Sequence, residues 1–249
     1  MNGEVIRLTA RQLVAQRRTL LVLLLAAGPL LLAVIYQLSA PKNDADWTQQ
    51  EFTATALYGV LIVGLLLPLC SLIFGTAALG SEIEDGTAVY LLSKPIPRRE
   101  ILLSKLLVAW LATSAIVVTT TVVAGVVALW GAPQDGIVLG FAVGVALGAL
   151  VYTAVFLLLS LITGRALIIG LSYVFIWESL ITGLFQGTRV LSVREYVVGV
   201  ADGISTVSPR VLDASLGAGQ AVFLAAAVLV GATAFAVRRL QGFEIGEAG

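Results

Sequence analysis

Six apolar runs, each about as long as a bilayer is thick, constrain this chain more than any other feature. A helix needs about 20 apolar residues to cross the roughly 30 Å hydrocarbon core of a membrane. With 59% hydrophobic and 12% charged residues, the chain has too little polar surface to enclose a water-soluble core. It is predicted to be an all-α integral membrane protein with one transmembrane domain over residues 1–249. The predicted spans are residues 19–38, 56–79, 102–130, 136–163, 166–186 and 216–237.

The arginines and lysines predict the orientation of these spans, because cytoplasmic loops carry an excess of both. Lys42, Arg189, Arg194 and Arg210 lie on one predicted side, among seven acidic residues. The other eleven basic residues fall on the opposite side: Arg7, Arg11, Arg17, Arg18, Lys94, Arg98, Arg99, Lys105, Arg165, Arg238 and Arg239. We therefore expect six spans in the inner (plasma) membrane, with both termini in the cytoplasm and the N-terminal segment retained rather than cleaved.

Composition excludes several classes of function. The net charge is zero, so nothing indicates nucleic-acid binding. The absence of histidine removes imidazole metal ligands and the commonest general base. Cys70 is the only cysteine, so no disulfide can form within the chain. The phosphate-binding motif G-x-x-x-x-G-K-S/T is absent, which predicts that the chain hydrolyses no ATP, binds no cofactor and is not an enzyme.

The longest charged stretch between apolar runs is EIEDGTAVYLLSKPIPRREILLSKLL, residues 82–107. Its charges and prolines cannot lie in hydrocarbon, where each charge costs several kcal/mol. Residues 88–92 have the pattern of a short helix, and Pro95 and Pro97 end it. A connection between two helices needs only about two to eight residues. The length of residues 80–101 therefore favours a cytoplasmic element that docks on a soluble partner over a plain connecting loop.

This segment resembles the cytoplasmic signature of type-2 ABC transporter permeases, the membrane subunits of bacterial ABC exporters. The shared pattern is E-x-E-x-G-T-x-x-x-L-L-x-x-P-x-x-R-x-E-I-L-L-x-K, from Glu82 to Lys105, and Asp85 stands where members often have Arg or Lys. The resemblance implies that residues 80–101 form a coupling helix that contacts a separate ATPase subunit. The contact residues it implies are Glu82, Glu84, Asp85, Gly86, Thr87, Leu91, Leu92, Pro95 and Arg98.

The resemblance also implies the partners and two further segments. It implies two permease chains, as a homodimer or a related heterodimer, and two ATPase chains that bind ATP and Mg²⁺. Residues 4–18 are amphipathic and basic, so they are either a surface anchor or an elbow helix beside the dimer. Residues 187–215 are expected to form an extracytoplasmic re-entrant segment, since irregular backbone at membrane depth must be buried against protein.

Glu178 is the only acidic residue inside an apolar run, at a depth of roughly 20 Å from Arg165 at 1.5 Å per residue. An intramembrane carboxylate suggests function. We expect it either to line the outer half of the substrate pathway and contact a cationic or polar group or a proton, or to pair with Arg189 or Arg194. In the fourth run, a G-x-x-x-G-x-x-x-G pattern favours close helix packing within one chain over a dimer seam, and its glycines are Gly140, Gly144 and Gly148.

Three functions compete on the sequence alone. The ABC exporter permease is favoured by the signature from Glu82 to Lys105. An ion- or proton-coupled secondary transporter centred on Glu178 would require more intramembrane polar residues and internal repeats, and the sequence has neither. An intramembrane enzyme would require a paired catalytic acid or a metal motif, which the sequence lacks. The first function is predicted, and the substrate stays open.

Overall fold

The structure is a computed structural model that describes residues 17–39, 46–84, 97–182 and 186–242. In these ranges the chain folds entirely into helices and their connections, without strands. The predicted elbow helix lies outside the described residues except for its last two positions. Most of the predicted coupling segment, residues 85–96, also lies outside them.

Seven helices, α1 to α7, follow one another along the described ranges. Helix α2 is continuous through an α-helical start, a π-helical middle and an α-helical end, and α5 likewise passes from α-helical to π-helical. A 3₁₀ turn, Gln186–Leu191, comes before α6. The bounds are α1 Arg17–Ser39, α2 Asp46–Phe52 with Thr53–Leu66 and Leu67–Glu84, α3 Arg98–Ala128, α4 Ile137–Ile162, α5 Ala166–Ser172 with Tyr173–Ile181, α6 Val193–Ile204 and α7 Ala218–Gln241.

Five of these helices, α1, α2, α3, α4 and α7, are long and apolar enough to cross a membrane. They occupy the first, second, third, fourth and sixth predicted runs. The fifth run, predicted over residues 166–186, is helical from Ala166 to Thr182, and its apolar part Ala166–Glu178 is shorter than the other five. The structure therefore supports a multi-pass membrane chain with five helices of full spanning length.

Helix α2 is already helical at Asp46, ten residues before the predicted run, and contacts of Gln50 and Phe52 stabilise its first described turns. The Gln50 amide donates to the Pro133 carbonyl at 2.9 Å and to Asp135 at 2.8 Å, in the turn between α3 and α4. Tyr36 of α1 stacks on Phe52, with ring centroids 3.7 Å apart. These contacts join residues distant in sequence, so hydropathy could not reveal them.

Helix α4 is the centre of the fold and packs against α2, α3, α6 and α7. Its large side chains Phe141, Tyr152 and Phe156 are buried. Helix α1 is peripheral, since Leu24 is 72% exposed and Leu38 82% exposed. The core is thus built around α4, and the apolar outer face of α1 is left for lipid or another chain.

Helix α6 lies on the glycine face of α4. A Cβ on Gly140 would be 2.6 Å from the Ala201 carbonyl oxygen, and one on Gly144 would be 2.6 Å from the Val197 carbonyl oxygen. One on Gly148 would be 2.5 Å from a Val197 methyl group. These distances leave no room for a side chain, so the prediction that the glycines allow packing within one chain is confirmed.

Two stretches of helix are π-helical, with hydrogen bonds from residue i to i+5. The Leu67 N–H bonds to the Ile62 carbonyl at the end of the first, and the Thr182 N–H bonds to the Trp177 carbonyl at the end of the second. Such wide turns are rare and often occur at functional sites. The second stretch contains Glu178.

Candidate functional site

The Glu178 carboxylate is enclosed where α4, α5 and the start of α6 meet. Its side chain is 4% exposed, and both oxygens accept hydrogen bonds. The Tyr173 hydroxyl donates to Oε1 at 3.2 Å, and the Val193 backbone N–H donates to the same oxygen at 3.0 Å. The Ser192 hydroxyl donates to Oε2 at 2.5 Å. Tyr152, on α4, also interacts with this carboxylate.

These bonds make Glu178 a cap for another helix. Ser192 is the N-cap residue of α6, and Val193 is its first helical residue. The first N–H groups of a helix lack intrahelical partners and carry partial positive charge, which favours an anion beside them. Glu178 therefore attaches the start of α6 to the π-helical part of α5, where it has a structural role.

Neither of the two arginines proposed as partners reaches this carboxylate. Within the ranges that the structure describes, Glu178 forms no ion pair with Arg189 or Arg194, and its donors are hydroxyls and an amide. The Arg194 guanidinium extends towards α2, where Nη2 lies 3.8 Å from the position of a Cβ on Gly59. Neutral donors alone can satisfy the hydrogen bonds of a buried carboxylate. The sequence could not show whether Glu178 pairs with an arginine or accepts bonds from neutral donors.

Aromatic side chains enclose the carboxylate. Tyr152 stacks with Phe156 at a centroid distance of 5.8 Å, and Phe156 meets Tyr173 edge-on at 6.3 Å. The Tyr196 hydroxyl donates to the Val190 carbonyl at 2.8 Å, which holds the 3₁₀ turn against α6. Among the described residues no group of acidic, histidine or cysteine side chains could hold a metal ion. The site suits a positioning role for a helix, or contact with a cationic group if a donor leaves.

Two basic residues fasten the ends of the helices that flank the predicted coupling segment. Lys105, on α3, is 1% exposed, and its Nζ donates to the Ala78 carbonyl of α2 at 2.7 Å. Arg98, the first residue of α3, donates from Nη1 to the Leu240 and Gln241 carbonyls of α7, each at 2.7 Å. The beginning of α3 is thus bonded to α2 on one side and to α7 on the other.

The predicted coupling residues are only partly described. Glu82 and Glu84 lie in the last described turn of α2, and Arg98 begins α3. Six others lie outside the described residues, namely Asp85, Gly86, Thr87, Leu91, Leu92 and Pro95. Sequence reasoning included Lys105 in the signature but missed its burial, and it assigned Arg98 to the ATPase contact without its bond to α7.

Comparison with known families then identifies the class of protein. Residues 5–209 match the family described as ABC-2 family transporter protein, a match that includes the whole signature from Glu82 to Lys105. No curated protein matches the chain. Members of this family are membrane transport components without catalytic activity of their own, and the family implies association with an ATPase subunit. The chain therefore belongs to the ABC-2 transporter family and is a multi-pass membrane permease, as its apolar runs and the signature from Glu82 to Lys105 predicted.

Proposed function

We propose that this chain is the transmembrane subunit of a bacterial ABC exporter. It forms the substrate pathway with a second permease chain, and a separate cytoplasmic subunit binds ATP and Mg²⁺ and supplies the energy. The observation that carries this proposal is the family match across the signature from Glu82 to Lys105. The buried bond of Lys105 and the bonds of Arg98 support it, because they attach the flanking helices to the rest of the fold.

Six spans with both termini in the cytoplasm are supported by the bond between α3 and α7. Arg98 at the start of α3 meets the end of α7, so these two ends share one side of the membrane. Helix α3 crosses the membrane and α4 crosses back, so α4 ends on the side where α3 starts. Because α7 ends on that same side, it must start on the other side of the membrane. Helix α5 supplies the missing crossing, since Ala166 to Thr182 extends about 25 Å. On this topology residues 187–215 form the extracytoplasmic re-entrant segment and residues 4–18 the elbow helix.

A second copy of this chain is the partner that we propose in the membrane. The exposed apolar side chains of α1 and α5 form two broad faces with few contacts inside the chain, and the resemblance would place the dimer seam on these spans. The two faces include the exposed residues Leu20, Leu24, Leu31 and Ile35 on α1 and Ile168, Ile176 and Leu180 on α5. Lipid covers whatever part of these faces the partner leaves free.

Glu178 acts on the outer half of the pathway through the position of α6. Both of its oxygens are bonded, so a cationic substrate group or a proton would compete for them with Tyr173, Ser192 and the Val193 amide. An ion-coupled secondary transporter built on Glu178 is less favoured for the same reason. The family match also supports ATP as the energy source rather than an ion gradient.

Charge reversal at Glu82 and Glu84 is expected to detach the ATPase subunit. The double variant Glu82→Lys with Glu84→Lys should lower the amount of ATPase that co-purifies by about tenfold or more, because like charges facing each other cost several kcal/mol. Co-purification from native membranes with an ATP hydrolysis assay measures this. The matched control is Glu51→Lys with Asp213→Lys. It changes the net charge of the chain by the same amount, at exposed positions on the proposed outer side. Unchanged ATPase binding by the Glu82 and Glu84 variant would contradict the coupling assignment.

Cysteine labelling tests the proposed topology. Cys70 is buried, and its replacement by Ala provides a background without thiols. In that background, a membrane-impermeant maleimide applied to intact cells is expected to label Ser208→Cys and to leave Ser93→Cys unlabelled. Inside-out vesicles should give the reverse result, which controls for accessibility. The opposite pattern in both preparations would overturn the orientation.

A further inference from the structure

Arg98 lies where its own helix disfavours it. It is the first residue of α3 and is followed by Arg99, with Glu100 as the only acid in that turn. A cation at a helix N-terminus opposes the partial positive charge of the first N–H groups. Helix stability alone therefore does not explain an arginine at this position.

A partner of Arg98 is the C-terminus of α7. The last carbonyl groups of a helix lack intrahelical donors and carry partial negative charge. Nη1 of Arg98 donates to two of them, Leu240 and Gln241, at 2.7 Å each. Bonds from a charged donor are shorter and stronger than neutral ones. One side chain thus joins the end of the last span to the helix that directly follows the coupling segment.

We propose that Arg98 is a positioning residue that makes α7 move with the start of α3 and so transmits the action of the ATPase to the opposite end of the molecule. This inference rests on the proposed function. Helix α7 has 24 residues and is about 36 Å long. It packs against α6, which lies on the glycine face of α4 and is capped by Glu178. A shift at the cytoplasmic end of α7 therefore reaches the segment that we place at the outer end of the pathway.

Lys105 distinguishes the two connections made by α3. Its buried bond to Ala78 fastens α3 to α2, the helix that leads into the coupling segment. Arg98 is nearer the surface and bonds to the last two residues of α7. The Lys105 bond therefore keeps α2 and α3 together, whereas the Arg98 bond is the one that couples this pair to α7.

The first test measures the connection in the chain alone. Spin labels at Leu103 on α3 and Phe235 on α7, both exposed positions, report the distance between the helices in lipid nanodiscs. The distance distribution is expected to be narrow in the unaltered chain and in Arg99→Gln, and clearly broader in Arg98→Gln. Arg98→Lys keeps one charged donor with less favourable geometry, so it should restore part of the narrow distribution.

The second test measures transmission in the complex with the ATPase. The labelling rate of Ser208→Cys by an impermeant maleimide is compared with and without ATP in the Cys70→Ala background. The change in labelling rate that ATP causes should be retained in Arg99→Gln. In Arg98→Gln this change should be about tenfold smaller, a size typical of coupling between distant sites. The ATP response is expressed per bound ATPase, so a change in binding at Arg98, which the resemblance places in the ATPase contact, does not enter the comparison.

The other outcomes overturn the inference, and each of them points to a different cause. Loss of the ATPase in Arg98→Gln with an unchanged distance distribution would place Arg98 in the subunit contact instead. If Ser208→Cys responds to ATP equally well in Arg98→Gln and in the unaltered complex, α7 transmits nothing through Arg98. The same conclusion follows if the unaltered complex shows no response to ATP. If no ATPase binds the unaltered chain, the proposed function itself fails, and a broadened distribution would then reduce Arg98 to a structural bond.

Discussion

Gly144→Ala is expected to destabilise the folded chain by about 3 kcal/mol, the upper end of the usual cost of overpacking. The added Cβ would lie 2.6 Å from the Val197 carbonyl oxygen, which is backbone and cannot rotate away. Helix α6 must therefore move off α4. Helix propensity alone predicts the opposite sign, since Ala in a helix is favoured over Gly by about 1 kcal/mol. The melting temperature and the monodisperse fraction in detergent measure the effect.

Gly231 provides the matched control for this substitution. It lies in the middle of α7, and a Cβ there would meet nothing within 4 Å. Gly231→Ala should therefore leave the melting temperature unchanged or raise it slightly. Equal melting temperatures for Gly144→Ala and Gly231→Ala would show that α6 does not rest on the glycine face of α4.

Glu178→Gln is expected to lower the stability of the chain by about 2 to 3 kcal/mol, and Glu178→Ala by at least as much. All the bonded neighbours of the carboxylate donate to it, so the NH₂ group of a glutamine would face a hydroxyl that has to turn and accept, and the negative charge beside the start of α6 would be lost. Alanine would leave the Val193 N–H and two hydroxyls unpaired in a buried site. Both variants should also increase hydrogen exchange at the first amides of α6, which mass spectrometry of the purified chain measures.

Glu195→Gln is the control for the loss of this charge. Glu195 lies in the first turn of α6 and accepts a hydrogen bond from Ser215 at an exposed site, so its replacement should change stability by only about 0.5 kcal/mol. A Glu178→Gln chain that is as stable as the unaltered one but no longer transports would contradict the capping role. It would place the carboxylate in direct contact with the transported group.

The placement of α6 shows how far local sequence could go. Ser192 and Glu195 have the spacing of a capping box, which marks the start of a helix at the residue where α6 begins. In the structure both side chains are engaged elsewhere, since Ser192 donates to Glu178 and Glu195 accepts from Ser215. The pattern therefore gives the position of the helix, and the partners of its side chains depend on what lies nearby in three dimensions.

By itself the sequence determined the all-helical membrane class, the positions of α1, α3, α4 and α7 to within a few residues, and the permease family. These follow from apolar runs and a contiguous motif, which act over short distances along the chain. Only the tertiary structure decided that α2 extends back to Asp46, that Glu178 caps α6 and that Arg98 holds the end of α7. Polar groups within the fold find their partners wherever the packing of apolar faces places them, and for the half-buried Arg98 that partner is 142 positions away.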